Sequence, residues 1–264
     1  MIRWTRRIGI FIIIGILTLG RMAYGDEPAI NPQPKTGKGK VFTYSATKLG
    51  LHVLKATIKI LEEKSDKGKL FKVQAIFQSN PSLEFLFRMN TRFTSTLEAE
   101  TYTPLVTVKE ISHGGLFMKN KNQVQTINFN PARQKAVVEL VEKKEKEKKE
   151  YSLPPGTYDP LSMFARFYLR GELTPGRDIP MSIFDGARLR QIVFHYHKDR
   201  IRTKLYGEVE AVRLESKTHF ATFGDQEGGI RIWYMTDARK TPVLVETDLP
   251  VGTIRFELES VEES

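Results

Sequence analysis

The sequence of 264 residues contains no cysteine. Disulfide bonds, thiol redox chemistry, a cysteine nucleophile and the lipid-bearing cysteine of bacterial lipoproteins are therefore excluded. Glycine-rich phosphate loops are also missing, since neither a P-loop nor a G-x-G-x-x-G pattern follows a predicted strand. A G-x-S-x-G nucleophile elbow does not occur either. These absences favour a non-enzymatic protein without a cofactor, and an enzyme is the alternative.

Long apolar runs are missing except at the N-terminus. Residues 8–20 form a thirteen-residue apolar run, which is too short to span a bilayer comfortably. Basic residues precede this run, and residues 23–25 (AYG) follow it with the small-x-small pattern of a signal peptidase site. We therefore predict a signal peptide over residues 1–25 and a soluble periplasmic protein that begins at Asp26. An uncleaved N-terminal anchor is the alternative.

The chain carries an excess of positive charge. The formal net charge is +10, and removal of residues 1–25, which contain four arginines and no acid, lowers it to +6. A basic excess favours anionic partners such as lipid headgroups. We expect a lipid-like ligand or an envelope protein as the partner, at most peripheral membrane contact, and no nucleic acid.

From residue 41 onwards, apolar and polar residues alternate along many short segments. The segments over residues 51–61 and 69–79 predict an antiparallel hairpin. Asp185-Gly186 predicts another hairpin with a two-residue turn, and one strand is predicted over residues 201–213. About a dozen segments of this kind predict antiparallel sheet rather than strand-helix-strand units.

Residues 159–170 (DPLSMFARFYLR) contain the clearest helical pattern. Asp159 occupies the N-cap position, Pro160 the first helical position, and Gly171 follows the last. Apolar residues recur at i, i+3, i+4 and i+7, namely Leu161, Phe164, Ala165 and Tyr168. A lone amphipathic helix must bury this stripe, and we expect it to pack against the sheet.

These patterns predict three parts of the chain: the signal peptide, a flexible lead-in over residues 26–40, and a single β-domain over residues 41–260. The domain is predicted to be mainly β, with a large curved antiparallel sheet or partly open β-barrel around the central helix. The mixed-charge run over residues 142–150 is interpreted as a solvated strand end and hairpin tip.

Short motifs occur in a characteristic order along the predicted domain. They include Asp159-Pro160-Leu161-Ser162, Tyr206-Gly207-Glu208 and the run IWYMTDAR over residues 232–239. In these motifs the chain resembles the bacterial DUF3108 family of exported proteins, whose domain has no known function. The resemblance implies an exported β-rich fold, akin to the curved sheets of envelope lipid and lipoprotein carriers. It implies no reaction.

Five residues are candidates for ligand contact: Arg166, Tyr168, Arg170, Trp233 and Asp237. Arg166 and Arg170 lie four apart on one helix face and can hold an anionic headgroup; the alternative is that both are simply solvated. Trp233 and Asp237 are candidates for the polar mouth of an apolar cavity. The alternative for them is an ordinary turn, with Trp233 packed on the helix.

Other chemically active residues are interpreted as structural. His195 and His197 share a strand face at a spacing that can chelate a metal, but a third ligand such as His219 would have to come from elsewhere in the fold. We therefore expect no metal site. Ser162 lies near the helix start, where a serine usually bonds the helix backbone.

We predict an exported binding or carrier module for an apolar or lipid-like envelope ligand. Two other classes of protein stay open. An envelope-polymer hydrolase would use a carboxylate pair, for which Glu208 and Asp237 are candidates. A scaffold would present its sheet edges to envelope proteins.

Overall fold

The structure, a computed structural model, describes residues 39–65, 68–116, 120–143, 145–170, 176–220, 226–249 and 252–263. The predicted signal peptide, the lead-in up to residue 38, Gly171 and the side chain of His219 lie outside the described residues. The first strand begins at Gly39, so the last two residues of the predicted lead-in belong to the sheet. In the part of the chain described, no helix has the length and apolar character needed to cross a membrane.

The described residues form fifteen strands, one α-helix and two short 3-10 helices. The strands are β1 (Gly39–Lys48), β2 (Leu51–Ser65), β3 (Gly68–Ser79), β4 (Arg88–Glu98), β5 (Pro104–Gly114), β6 (Lys121–Asn130), β7 (Lys135–Glu142), β8 (Glu145–Ser152), β9 (Thr157–Tyr158), β10 (Ile179–Phe184), β11 (Leu189–Thr203), β12 (Gly207–Phe220), β13 (Gln226–Met235), β14 (Pro242–Leu249) and β15 (Gly252–Glu263). The helices are α1 (Pro160–Arg170) and the 3-10 turns Pro81–Leu83 and Pro131–Arg133.

All fifteen strands belong to one sheet, in the order β8-β7-β6-β5-β4-β3-β2-β1-β15-β14-β13-β12-β11-β10-β9. Neighbours are antiparallel except for the short parallel contact between β9 and β10. The first and last strands, β1 and β15, pair at the centre of the sheet, and β8 and β9 form its edges. The predicted fold class, a large antiparallel sheet with one central helix, is confirmed.

The two edges of the sheet lie close together. Ser152 ends β8 and Thr157 begins β9, so the connection between the edges spans at most about 18 Å. Side chains bridge the gap: Phe184 of β10 packs against the rings of Phe129 and Tyr151, with centroids 6.2 and 5.0 Å away. The sheet is therefore rolled into an open barrel-like shape, and we call the line where its edges meet the seam.

The helix α1 lies inside the rolled sheet. Its aromatic side chains meet those of the strands in the pairs Phe164–Tyr234, Phe167–Phe194 and Tyr168–Phe42. Phe164 is only 6% exposed, so its predicted burial is confirmed. The predicted stripe is too narrow, however, because Met163 and Phe167 are buried as well. The rolled sheet surrounds the helix instead of covering one face of it.

Two turns differ from the predictions. The β10–β11 hairpin closes through four residues, Asp185–Arg188, and not two, because the Asp185 carboxylate accepts hydrogen bonds from two backbone N–H groups of the loop. The strand predicted over residues 201–213 is two strands, β11 and β12. Gly207 adopts a φ of +70° and turns the chain after Thr203. Apolar and polar residues alternate on both sides of this turn, so the sequence pattern did not reveal the turn.

The mixed-charge run over residues 142–150 forms the end of β7, a turn and most of the edge strand β8. Its side chains are mainly exposed, and Lys148 and Glu150 pair with Glu139 and Lys135 of β7. The interpretation as a solvated strand end and hairpin is confirmed. Exposed charges along an edge strand also oppose pairing with another sheet.

Candidate functional site

A buried polar cluster joins the start of α1 to β4 and β5. The Asp159 carboxylate is fully buried. Its Oδ2 accepts hydrogen bonds from the hydroxyls of Ser95, at 2.6 Å, and Thr107. Its Oδ1 accepts from the backbone N–H of Ser162 at 2.7 Å. Asp159 therefore caps the helix as predicted, and it also ties the helix to two strands across the interior.

The Ser162 hydroxyl completes this cap. It accepts a hydrogen bond from the Asp159 N–H at 2.8 Å and donates to the Asp159 carbonyl at 3.0 Å. The reciprocal arrangement corresponds to a capping box, with serine where glutamate is usual. Both functions of the hydroxyl are thus used by the helix backbone, as predicted for this residue, and Ser162 is not positioned as a nucleophile.

Lys109 places a charge beside the cluster and crosses the seam. Its ammonium donates to the carbonyl of Asp185 in the β10–β11 loop and lies 5.7 Å from the centroid of the Phe93 ring. Part of the Lys109 side chain is accessible, but its ammonium is enclosed. Burial lowers the pKa of Lys109, and the nearby Asp185 and Asp159 carboxylates oppose this effect only in part. Lys109 therefore fastens the β10–β11 loop to the inner face of β5.

A cleft of ≈ 300 Å³ opens at the other end of α1. It is lined by three basic, one acidic and three apolar residues: Arg166, Arg170, Arg177, Asp178, Phe167, Ile179 and Pro180. We call it the arginine cleft. Guanidinium groups recognise carboxylates and phosphates through paired hydrogen bonds. The lining therefore suits an anionic group attached to an apolar part.

The charges of the arginine cleft are unevenly paired. The guanidinium of Arg166 lies 5.0 Å from the ring centroid of Tyr158. Within the described part of the chain, neither Arg166 nor Arg177 has a carboxylate partner. Asp178, the acidic residue of the lining, bonds through Oδ1 to Nδ1 of His195 at 2.8 Å. Two guanidinium groups are thus available to a ligand.

The structure brings together only part of the predicted site. Arg166 and Arg170 do line one cleft. Tyr168 is not part of its lining and packs on Phe42, with 5.2 Å between ring centroids. Arg177 was not among the predicted residues. It follows the helix after a short stretch of sequence. The recurrence of arginine between residues 166 and 177 is the signal that could have identified it.

Trp233 and Asp237 lie away from the arginine cleft. Tyr234 packs against the helix, so Trp233 lies on the opposite face of the sheet because strand side chains alternate. Its indole N–H donates to Asp199 at 2.8 Å. The expectation that Trp233 packs on the helix is therefore wrong. Asp237 accepts hydrogen bonds from the backbone and side chain of Arg239, as an ordinary turn residue does.

The histidines and the candidate carboxylates each contact a different partner. His197 lies 4.0 Å from Glu215, and the ligand set that metal binding requires, at least three grouped histidine or acidic side chains, does not occur among the residues described. Glu208 faces Arg200 at 3.3 Å, and Asp237 faces Arg239 at 2.7 Å. Neither carboxylate is placed as the free acid or base of a hydrolytic pair.

The fold and the cleft together define a class: a barrel-like antiparallel sheet that encloses one helix and carries a basic cleft at the end of that helix. The chain belongs to the DUF3108 family, because the model of this protein family of unknown function matches residues 42–259. The resemblance seen in the short motifs is thereby confirmed.

The architecture is similar to that of a solved structure. It is the crystal structure of a beta-barrel-like protein of domain of unknown function DUF1849 from Brucella abortus, with 12% sequence identity and a TM-score of 0.53. The similarity covers 86% of this chain and 98% of that one. At this level of identity it shows the fold alone. The search of curated proteins gives no match for the sequence.

Proposed function

We propose that the protein is an exported, non-enzymatic binding module of the cell envelope that holds an anionic, lipid-like ligand in the arginine cleft. The observation that carries this proposal is that Arg166 and Arg177 line one cleft without carboxylate partners among the described residues. A charge-assisted hydrogen bond to guanidinium contributes about 1.5–3 kcal/mol. Two such groups can hold one phosphate or carboxylate headgroup.

The apolar lining supports the lipid-like part of the proposal. Phe167, Ile179 and Pro180 border the cleft beside the arginines, so an acyl chain attached to the headgroup would lie along them. The volume of ≈ 300 Å³ is at the lower end of the range of small-molecule sites. It suits a headgroup and the first part of a chain, with the remainder outside.

The binding prediction uses soluble short-chain phosphatidylglycerol as the probe and phosphatidylcholine as the uncharged comparison. We expect the anionic lipid to bind more tightly, and the double variant Arg166→Ala/Arg177→Ala to bind it at least about tenfold more weakly, since tenfold corresponds to ~1.4 kcal/mol. Native mass spectrometry and titration of the purified protein measure both affinities.

The matched control for the binding experiment is Arg200→Ala. Arg200 is exposed on β11 and already pairs with Glu208 and Glu210, so its loss removes a positive charge without touching the cleft. Equal weakening by the control and the double variant would contradict the proposal, as would equal binding of the two lipids.

Export is a separate part of the proposal, supported by the charged, apolar and small-residue order of residues 1–25. N-terminal sequencing of the protein from the periplasm is expected to begin at Asp26 or within a few residues of it. Protein that retains Met1 and stays with the membrane would instead indicate an uncleaved anchor.

A further inference from the structure

Exposed apolar side chains concentrate at one end of the sheet. Among the described residues, the four most exposed large apolar side chains are Leu49 (85%), Leu116 (64%), Phe85 (62%) and Leu51 (57%). The next group is only 39–41% exposed and is scattered over other strands and a turn: Val124, Leu189, Val193 and Leu205. We call the first four residues the apolar rim.

The apolar rim is one continuous feature. Leu49, Phe85 and Leu116 lie on the β1–β2, β3–β4 and β5–β6 connections, and Leu51 is the first residue of β2. Alternate connections of an antiparallel meander share one end of the sheet. Hydrogen bonds join the connections: the N–H of Leu116 donates to the carbonyl of Phe85 at 3.0 Å, and the side-chain Nδ2 of Asn80 donates to the carbonyl of His52, next to Leu51, at 3.1 Å.

The backbone holds these side chains outward. Gly115 adopts a φ of +116°, and a Cβ there would lie 2.8 Å from the Leu86 carbonyl oxygen, so the β5–β6 connection sits tightly on the β3–β4 connection. Phe87 is buried in the core beneath, which leaves Phe85 outside it. Leu49 has a φ of +51°, a conformation that leucine rarely adopts. The exposure is therefore built into the turns.

Charge near the apolar rim has a small basic excess. Among the described side chains with accessible surface on or beside the three connections, Arg88 and Lys121 are basic and Glu84 is acidic, while Lys48 is buried. A basic excess around the rim favours an anionic bilayer over an uncharged one.

We propose that the apolar rim is a membrane-docking surface that inserts its four side chains shallowly into an anionic bilayer. Apolar side chains on separate turns suit a fluid interface, and Arg88 and Lys121 beside them complement its headgroups. Docking goes beyond ligand binding at the arginine cleft and does not depend on it. It would hold the protein at the membrane surface without a spanning segment.

The test measures co-sedimentation of the purified chain, without residues 1–25, with vesicles of phosphatidylcholine containing phosphatidylglycerol, and with phosphatidylcholine alone. We expect binding to the anionic vesicles and at least about tenfold weaker partitioning for Phe85→Ser/Leu116→Ser, because burying one such side chain changes a partition coefficient by about tenfold or more. The matched control Leu189→Ser/Val193→Ser, on β11, is expected to partition like the unchanged protein.

A second readout reports insertion directly. Phe85→Trp is expected to show a blue-shifted emission on addition of anionic vesicles, while Trp233, which is buried, does not respond. Absence of binding to anionic vesicles, or equal partitioning of the two double variants, would overturn the docking surface. The variant Arg166→Ala/Arg177→Ala separates the two proposals, because it should still sediment with vesicles if only the cleft has been lost.

Discussion

Replacing Phe164 by alanine is expected to lower the free energy of unfolding by about 3–5 kcal/mol, because it removes buried apolar surface and leaves a cavity. Phe164 lies inside the rolled sheet, with its ring centroid 6.1 Å from that of Tyr234. The expected loss is a large part of the ~5–15 kcal/mol that stabilises a typical domain. Denaturation in urea, followed by circular dichroism, measures it.

Arg166→Ala is the control for this experiment, since Arg166 is on the same helix but lines the cleft. Its guanidinium lies over the Tyr158 ring, so its loss should lower the unfolding free energy by only about 0.5–1 kcal/mol. An unchanged denaturation midpoint for Phe164→Ala would show that the helix is not packed inside the sheet. The helix would then be better described as a mobile lid or docking element.

Replacing Asp159 by alanine is expected to lower the unfolding free energy by about 3 kcal/mol. The change removes the helix cap, typically worth about 1 kcal/mol, and leaves the buried hydroxyls of Ser95 and Thr107 without their acceptor, at about 1–3 kcal/mol. Thermal and urea denaturation at neutral pH measure the loss.

Asp159→Asn serves as the comparison, because the amide keeps an oxygen for the cap and nearly the same shape. We expect it to destabilise the protein by about 1 kcal/mol, as a weakened hydrogen-bond set would. A loss as large as that of the alanine variant would mean that the charge of the carboxylate matters more than its geometry. An unaffected Asp159→Ala protein would exclude a stabilising role for the cluster.

The elements of this fold were largely predictable because their causes are local. The alternation over residues 51–61 and the Asp159-Pro160 start of the helix act within a few residues of where they occur. The rolling of the sheet has no such local signal. It depends on contacts such as that between Lys109 and the Asp185 carbonyl, whose residues are far apart in sequence.

The candidate site was predictable only where its causes are local. Arg166 and Arg170 share a helix face because of their spacing, whereas Arg177 joins them only through the path of the chain into β10. Trp233 was misplaced because β13 buries both of its faces: Ile232 and Tyr234 on one side, Trp233 on the other. Alternation identifies two faces but does not say which one meets the helix.

The central pairing of β1 with β15 has a consequence for how the protein folds. Lys40 and Glu263 are register partners, so formation of this ladder closes a loop of roughly 220 residues. The entropic cost of closing a loop grows only slowly with its length. Contacts between residues so far apart in sequence nevertheless form slowly. Antiparallel pairs elsewhere join strands adjacent in the chain. Two meanders, β1–β8 and β10–β15, can each form from neighbouring hairpins before they meet. In topology the domain is two runs of hairpins, and the β1–β15 ladder is the step that joins them into one sheet.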